Sequence, residues 1–258
     1  MPQGVSETGV RKHVLLTLPE KDTGELNQIL SEAANGNARP DILPSLAGNK
    51  VLCYLPHLVK LSICENLIQS LPKDIKELKK LQDFSISNNK LIFLPVQLSQ
   101  LTKLKVLRAD DNKLELPAKI HRLKHLKEFS VSRKQLDSLG EQIPHLKDLF
   151  KIGFSGNALR YIPVELKNCI RITKADLSNN KLSQFPNALC ALFDLKPLNL
   201  SGNSISEIIP GISDIKDLEQ LELKKNKLSS FSSNKKSYIG SLISHSREKC
   251  FTFLKSKV

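Results

Sequence analysis

The chain has 258 residues, 40% of them hydrophobic, with no Trp and only 5% aromatics, so it allows one or two domains and any core must be aliphatic. The formal net charge of +13 is uneven: residues 51–228 hold 28 Lys and Arg against 19 Asp and Glu, and residues 229–258 hold 6 against 1, a surplus that permits anionic partners without requiring them. The five cysteines, Cys53, Cys64, Cys169, Cys190 and Cys250, form no CxxC pair and are odd in number, which argues against a zinc cluster and a disulfide framework.

The opening stretch, MPQGVSETGVRKHVLLTLPEK, has no apolar run sufficient for a signal peptide, and Pro2 excludes N-myristoylation. No later stretch approaches the ~18 apolar residues that cross a bilayer. With the cysteines read as reduced, a cytoplasmic location is expected. An N-terminal segment over 1–41 contains EKDTGELNQILSEAANGN, which predicts an amphipathic helix at about 22–35. Leu26, Ile29, Leu30 and Ala33 share one face, and Gly36 marks its stop. Its expected role is to cap the core of the adjoining segment.

From residue 42 to 231 the sequence repeats itself. Asn66, Asn89 and Asn112 stand 23 residues apart, and Asn157, Asn180, Asn203 and Asn226 continue at that spacing. Around each runs LxxLxLxxNxLxxLPxxIxxL. A degenerate copy comes first, then eight copies starting at Leu58, Leu81, Leu104, Leu126, Leu149, Ile172, Leu195 and Leu218. The period lies in the leucine-rich-repeat range of ~20 to 29 residues. The LxL alternation predicts a short strand. The Asn amide, which both donates and accepts, is expected to satisfy backbone groups of the following turn as a structural ladder. The LP pair and IxxL predict a short helical return. Stacked copies then give an α/β solenoid: a curved horseshoe with parallel strands on the concave face and short helical or 3-10 segments on the convex side. One irregularity is visible. The third copy, with KLELP, is one residue short, and the fourth has Lys134 for Asn and Gly140 for Pro. Residues 232–258, rich in Ser and Lys, read as a weak cap or a disordered tail.

These motifs resemble the intracellular leucine-rich-repeat proteins with 23-residue repeats, the Shoc2-like class. FSGNALRYIPVELKNC and ALCALFDLKPLNLSGNSISEI are most similar to the leucine-rich-repeat and death-domain-containing proteins. The resemblance covers about residues 55–231, and it implies protein–protein scaffolding. The chain ends soon after, so no death domain is expected.

No catalytic constellation is present: no GxSxG, HExxH or Gly-rich phosphate loop. Neither cofactor nor metal is expected. His121 and His125 have helical metal-ligand spacing but sit among lysines without a carboxylate. The recurring serines Ser87, Ser132, Ser155, Ser178 and Ser201 read as solvent-facing strand residues. The residues just before the ladder, such as Asn88 and Asn179, read as outward-pointing and indifferent to change. KIGF at 151–154 fits a loose phosphatase-docking pattern, but Ile152 and Phe154 fall on inward positions. Outward strand positions therefore carry the candidate protein-binding surface: Asp83, Arg108, Asp110, Asp111, Glu128, Arg133, Lys151, Lys174 and Asp176. Asp83, Asp110, Asp111 and Glu128 read as an acidic patch for a basic protein segment. A second feature is a basic ridge, Lys79, Lys80, Lys103, Lys105, Lys124 and Lys127, which helix dipoles could favour. The expectation is a monomeric, non-catalytic interaction scaffold whose partner is another protein. Its alternative is a basic module on an anionic membrane or nucleic acid. Nucleic acid is disfavoured because the ridge lacks interleaved aromatics.

Overall fold

The computed structural model describes residues 57–114, 119–133 and 135–228, and the backbone of 15–17 and 250–252. The predicted N-terminal helix, the degenerate first copy before residue 57 and most of the tail lie outside the described residues.

Among the described residues, ten strands form one sheet in sequential order. They are β1 (Leu15–Thr17), β2 (Lys60–Ser62), β3 (Asp83–Ser85), β4 (Val106–Arg108), β5 (Glu128–Ser130), β6 (Lys151–Gly153), β7 (Lys174–Asp176), β8 (Pro197–Asn199), β9 (Gln220–Glu222) and β10 (Cys250–Thr252). Strands β2 to β9, one from each predicted copy, pair in parallel with matching repeat positions opposite one another. Between β7 and β8 the pairing covers Ala175 with Leu198 and Asp176 with Asn199 but omits Pro197, which has no N–H to donate. Two strands go beyond the repeat pattern. β1 lies antiparallel on β2, and β10 lies parallel on β9. Both edges of the repeat sheet are thereby covered.

Each repeat strand has three residues, and its centre points into the core: Leu61, Phe84, Leu107, Phe129, Ile152, Ala175, Leu198 and Leu221 are all buried. The Phe129 and Phe154 rings meet edge-on with centroids 5.6 Å apart, a favourable aromatic arrangement. The return segments are 3-10 helices. Five have five residues (Lys73–Glu77, Val96–Gln100, Val164–Asn168, Asn187–Ala191 and Pro210–Asp214), whereas Ile120–Arg122 and Ile143–His145 have three. The Pro of the LP pair is the residue just before the helix at Pro72, Pro95, Pro163 and Pro186, with extended ψ. Its fixed φ sets the entry to the helix one step earlier than expected.

The ladder residues Asn66, Asn89, Asn112, Asn157, Asn180, Asn203 and Asn226 are buried. With Ser99 and Ser178 they are the buried polar residues among those described. Asn180 shows the pattern. Its Nδ2 donates to the carbonyls of Leu177 (3.0 Å) and Ser178 (3.0 Å) in its own turn and to that of Phe154 (2.9 Å) one repeat back. Its Oδ1 accepts from the Leu159 N–H at 3.1 Å. Asn89, Asn112, Asn157 and Asn203 repeat this set. One side chain thus satisfies buried backbone groups of two adjacent turns, which would otherwise carry a desolvation cost.

Candidate open-face binding site

The sheet's open face carries the first and third members of each strand triplet, so the register of the core fixes what is displayed. Along β3–β6 the displayed charges are joined. Arg108 meets Glu128 through two nitrogens, Nε to Oε1 at 3.2 Å and Nη2 to Oε2 at 2.9 Å. Its Nη1 also reaches Asp83 Oδ1 at 3.3 Å and Ser85 Oγ at 3.2 Å. Lys151 Nζ donates to Glu128 Oε1 at 2.7 Å. Partial burial pushes the Glu128 carboxyl up, but hydrogen bonds and charge from Arg108 and Lys151 outweigh this and hold it below the usual carboxylate range. Burial likewise opposes the Arg108 charge, and its hydrogen bond to Glu128, with the nearby carboxylates, raises its pKa regardless.

The remaining acids are also engaged. Asp110 Oδ1 accepts from Ser130 Oγ and the Ser132 N–H, each at 2.6 Å. Asp111 pairs with Arg133 at 2.9 Å. Asp176 Oδ1 accepts from the N–H (3.0 Å) and hydroxyl (2.7 Å) of Ser178. The structure therefore brings eight of the nine predicted site residues into local pairs or networks, and Lys174 stays exposed without a side-chain partner among the described residues. The expected acidic patch does not stand as a free one. Its carboxylates are matched within the chain, because the register that aligned them also placed Arg108 between Asp83 and Glu128.

Two columns differ from expectation. The serines lie beyond the strands, in the turn, and three of them bind neighbouring repeats through their hydroxyls: Ser155 and Ser178 hydroxyls meet at 2.7 Å, and the Asp110 N–H donates to Ser87 Oγ at 3.2 Å, whereas the buried Ser201 hydroxyl has no partner among the described residues. The residue before each ladder position is more than an outward side chain. It is left-handed in every described repeat: Glu65, Asn88, Asp111, Arg133, Asn179 and Lys225 have φ between 51° and 58°, and Gly156 and Gly202 have 67° and 69°. In that conformation its N–H points along the stack, as Asn179 N to the Ser201 carbonyl at 2.7 Å. The available signal was the recurrence of Asn, Asp and Gly at that position.

His121 and His125 are not brought together as ligands. His125 faces Asp148 at 3.3 Å, and His121 faces the His145 ring with centroids 6.3 Å apart. Among the described residues no group of three His, Cys, Asp or Glu could hold a metal ion. Ile152 and Phe154 of KIGF are buried. Cys64, Cys169 and Cys190 are free thiols. Cys169 fills a leucine position, and burial pushes its thiol up to about 11. No helix among the described residues is long and apolar enough to cross a membrane.

Residues 45–159 match the leucine-rich repeat region family. The comparison with curated proteins finds no significant match. Among solved structures, the LRR protein LIC12759 of Leptospira interrogans is similar with a TM-score of 0.73 and 30% identity, over 80% of this chain and 51% of that one. The plant peptide hormone receptor RGFR1, solved in complex with RGF2, gives 0.58 and 26%, over 68% of this chain and 30% of that one. A TDR receptor gives 0.63 at 22% identity, over 71% and 37%, a likeness of fold alone. The chain thus spans about half of the first of these proteins and less of the others. Family match, structural neighbours and the eight-strand parallel stack point the same way: residues 45–159 are similar to leucine-rich repeat regions, and the stacked strands match the fold of the similar solved structures.

Proposed function

We propose that the chain is a non-catalytic scaffold that docks another protein on the open face of its repeat sheet. The leucine-rich-repeat region supplies the general reason, since such folds mediate protein–protein interaction. The observation that carries the site is the in-register display across β2–β9, where a preformed Asp83–Arg108–Glu128–Lys151 chain holds polar side chains in fixed positions. Such a surface binds with little further ordering. The free thiols Cys64, Cys169 and Cys190 support an intracellular setting, and the 23-residue period supports a likeness to the Shoc2-like class. A monomer is the state in which this face stays open.

Site-specific photo-crosslinking tests the reading. Crosslinkers at Val106 and Lys174, outside the ion network, should trap partner protein in cells. A crosslinker at Glu165, on a 3-10 helix across the core, should trap much less. Adducts from Glu165 with none from the open face would overturn the site.

A further inference from the structure

A different surface carries a second binding role. At the end of the sheet where strands begin, one residue per repeat forms a continuous backbone row. Lys105 N donates to the Gln82 carbonyl, Lys127 N to Lys105, Phe150 N to Lys127, and Thr173 N to Phe150, at 2.7 to 2.9 Å. The row runs through Lys105 and Lys127 of the predicted ridge, and Lys79, Lys80, Lys103 and Lys124 precede the row members of their repeats by two or three residues. Lys79, Lys80, Lys103, Lys105, Lys124 and Lys127 are all exposed, and none forms an ion pair among the described residues. Lys105 alone has a side-chain partner there, the amide of Gln82 at 2.8 Å.

Helix dipoles do not account for these lysines. The return helices have only three to five residues, and carbonyls at their ends are already bonded, as Leu78 O is by Leu81 N at 3.0 Å. The dipole is too short to explain a row of six like charges. The edge continues into apolar groups: Phe150, next in the backbone row after Lys127, is 46% exposed, and Ile170 is 63% exposed. The carboxylate near them on this edge, Asp148, is held by Arg171 at 2.8 Å and faces His125 at 3.3 Å. Beyond Ile170 the same edge carries Asp194, Asp217 and Glu219 beside Lys196 and Lys216, with Lys196 paired to Glu219 at 2.9 Å, so the cationic surplus ends there.

We infer that this edge, from Lys79 to Ile170, docks on an anionic phospholipid surface. The lysines lie against the headgroups, and Phe150 and Ile170 enter the interfacial layer. Basic side chains beside exposed apolar ones are the two components of reversible membrane binding. The row is all lysine. Flexible point charges fix no single geometry, which suits laterally mobile headgroups better than a patterned carboxylate partner. Stacked bases would call for aromatics interleaved with the cations, whereas Phe150 stands beyond the six lysines rather than between them.

Co-sedimentation of the full chain with vesicles tests this. Phosphatidylcholine vesicles should bind little, vesicles that also contain phosphatidylserine should bind well, and added salt should weaken binding. The triple change Lys80→Glu, Lys103→Glu and Lys127→Glu should weaken binding by more than about tenfold. Ile170→Ser should lower it severalfold and leave it salt-dependent. Lys90→Glu, Lys181→Glu and Lys227→Glu together change net charge equally on another surface and should change binding little. No preference for phosphatidylserine would overturn the proposal, as would equal losses in the two triple variants. Tighter binding of the same edge to single-stranded RNA or polyglutamate would overturn it in favour of that partner class. The photo-crosslinking result at Val106 and Lys174 is independent of all these outcomes.

Discussion

At the scale of single residues, two neighbours in each turn do opposite jobs. Asn180 works through its side chain, bonding Phe154, Leu159, Leu177 and Ser178. Asn180→Leu should cost about 1 to 3 kcal/mol by stranding those groups. Asn179 works through its backbone, at φ 52°. Asn179→Ala should cost about 1 kcal/mol, because a Cβ without a local hydrogen bond is strained there, whereas Asn179→Gly should be near neutral. Urea unfolding of the three variants checks this, and an Asn179→Gly loss as large as that of Asn179→Ala would refute the backbone role. Glu128 adds a pH dependence. Its folded pKa lies below its unfolded one, so the unfolded chain binds more protons as acid is added. The stability it contributes is present above the ordinary carboxylate pKa of about 4 and is lost as pH falls through the folded value. Glu128→Gln should therefore be less stable than the parent at neutral pH and lose less on acidification, as read from urea midpoints.

At the scale of elements, the irregular copies leave a visible trace. The two three-residue return helices, Ile120–Arg122 and Ile143–His145, belong to the third and fourth copies. The ladder passes from Asn112 to Asn157 without an Asn between, and the first bond after that gap, Leu136 N to Asn157 Oδ1, is 3.4 Å against 3.1 Å for Leu159 to Asn180. Amide exchange should accordingly be faster across residues 112–140 than across 157–205. Equal protection in both stretches, measured by mass spectrometry, would show that shortened returns cost no local stability. The eight repeat strands were legible because one period dictates where each begins. Three features were less so. The left-handed column was only partly visible: Asn, Asp and Gly at five of its eight positions suit that backbone shape, but Glu65, Arg133 and Lys225 hide it. β1 and β10 have three residues each, too short for alternation to show. The acidic region was legible with Arg108 and Arg133 among its members, but its pairing was not, because the partners come from strands 20 to 25 residues away.

For the molecule as a whole, the flanking segments matter through the sheet they close. β10 on β9 and β1 on β2 occupy hydrogen-bonding edges that would otherwise be open to another strand. Deleting residues 250–258 should increase self-association, seen by light scattering after size exclusion, with little change in the repeats' circular dichroism. A deletion variant as monomeric as the full chain would show that the β9 edge is harmless when bare. The ladder has one further consequence, for the order in which the chain assembles. Each Asn bonds only its own turn and the one before, so structure can begin at any adjacent pair of repeats and spread stepwise. The longest unbroken run of such links joins Asn157, Asn180, Asn203 and Asn226. Folding should nucleate in that C-terminal half, and the missing rung at Lys134 should be the slow crossing through which order reaches the rest.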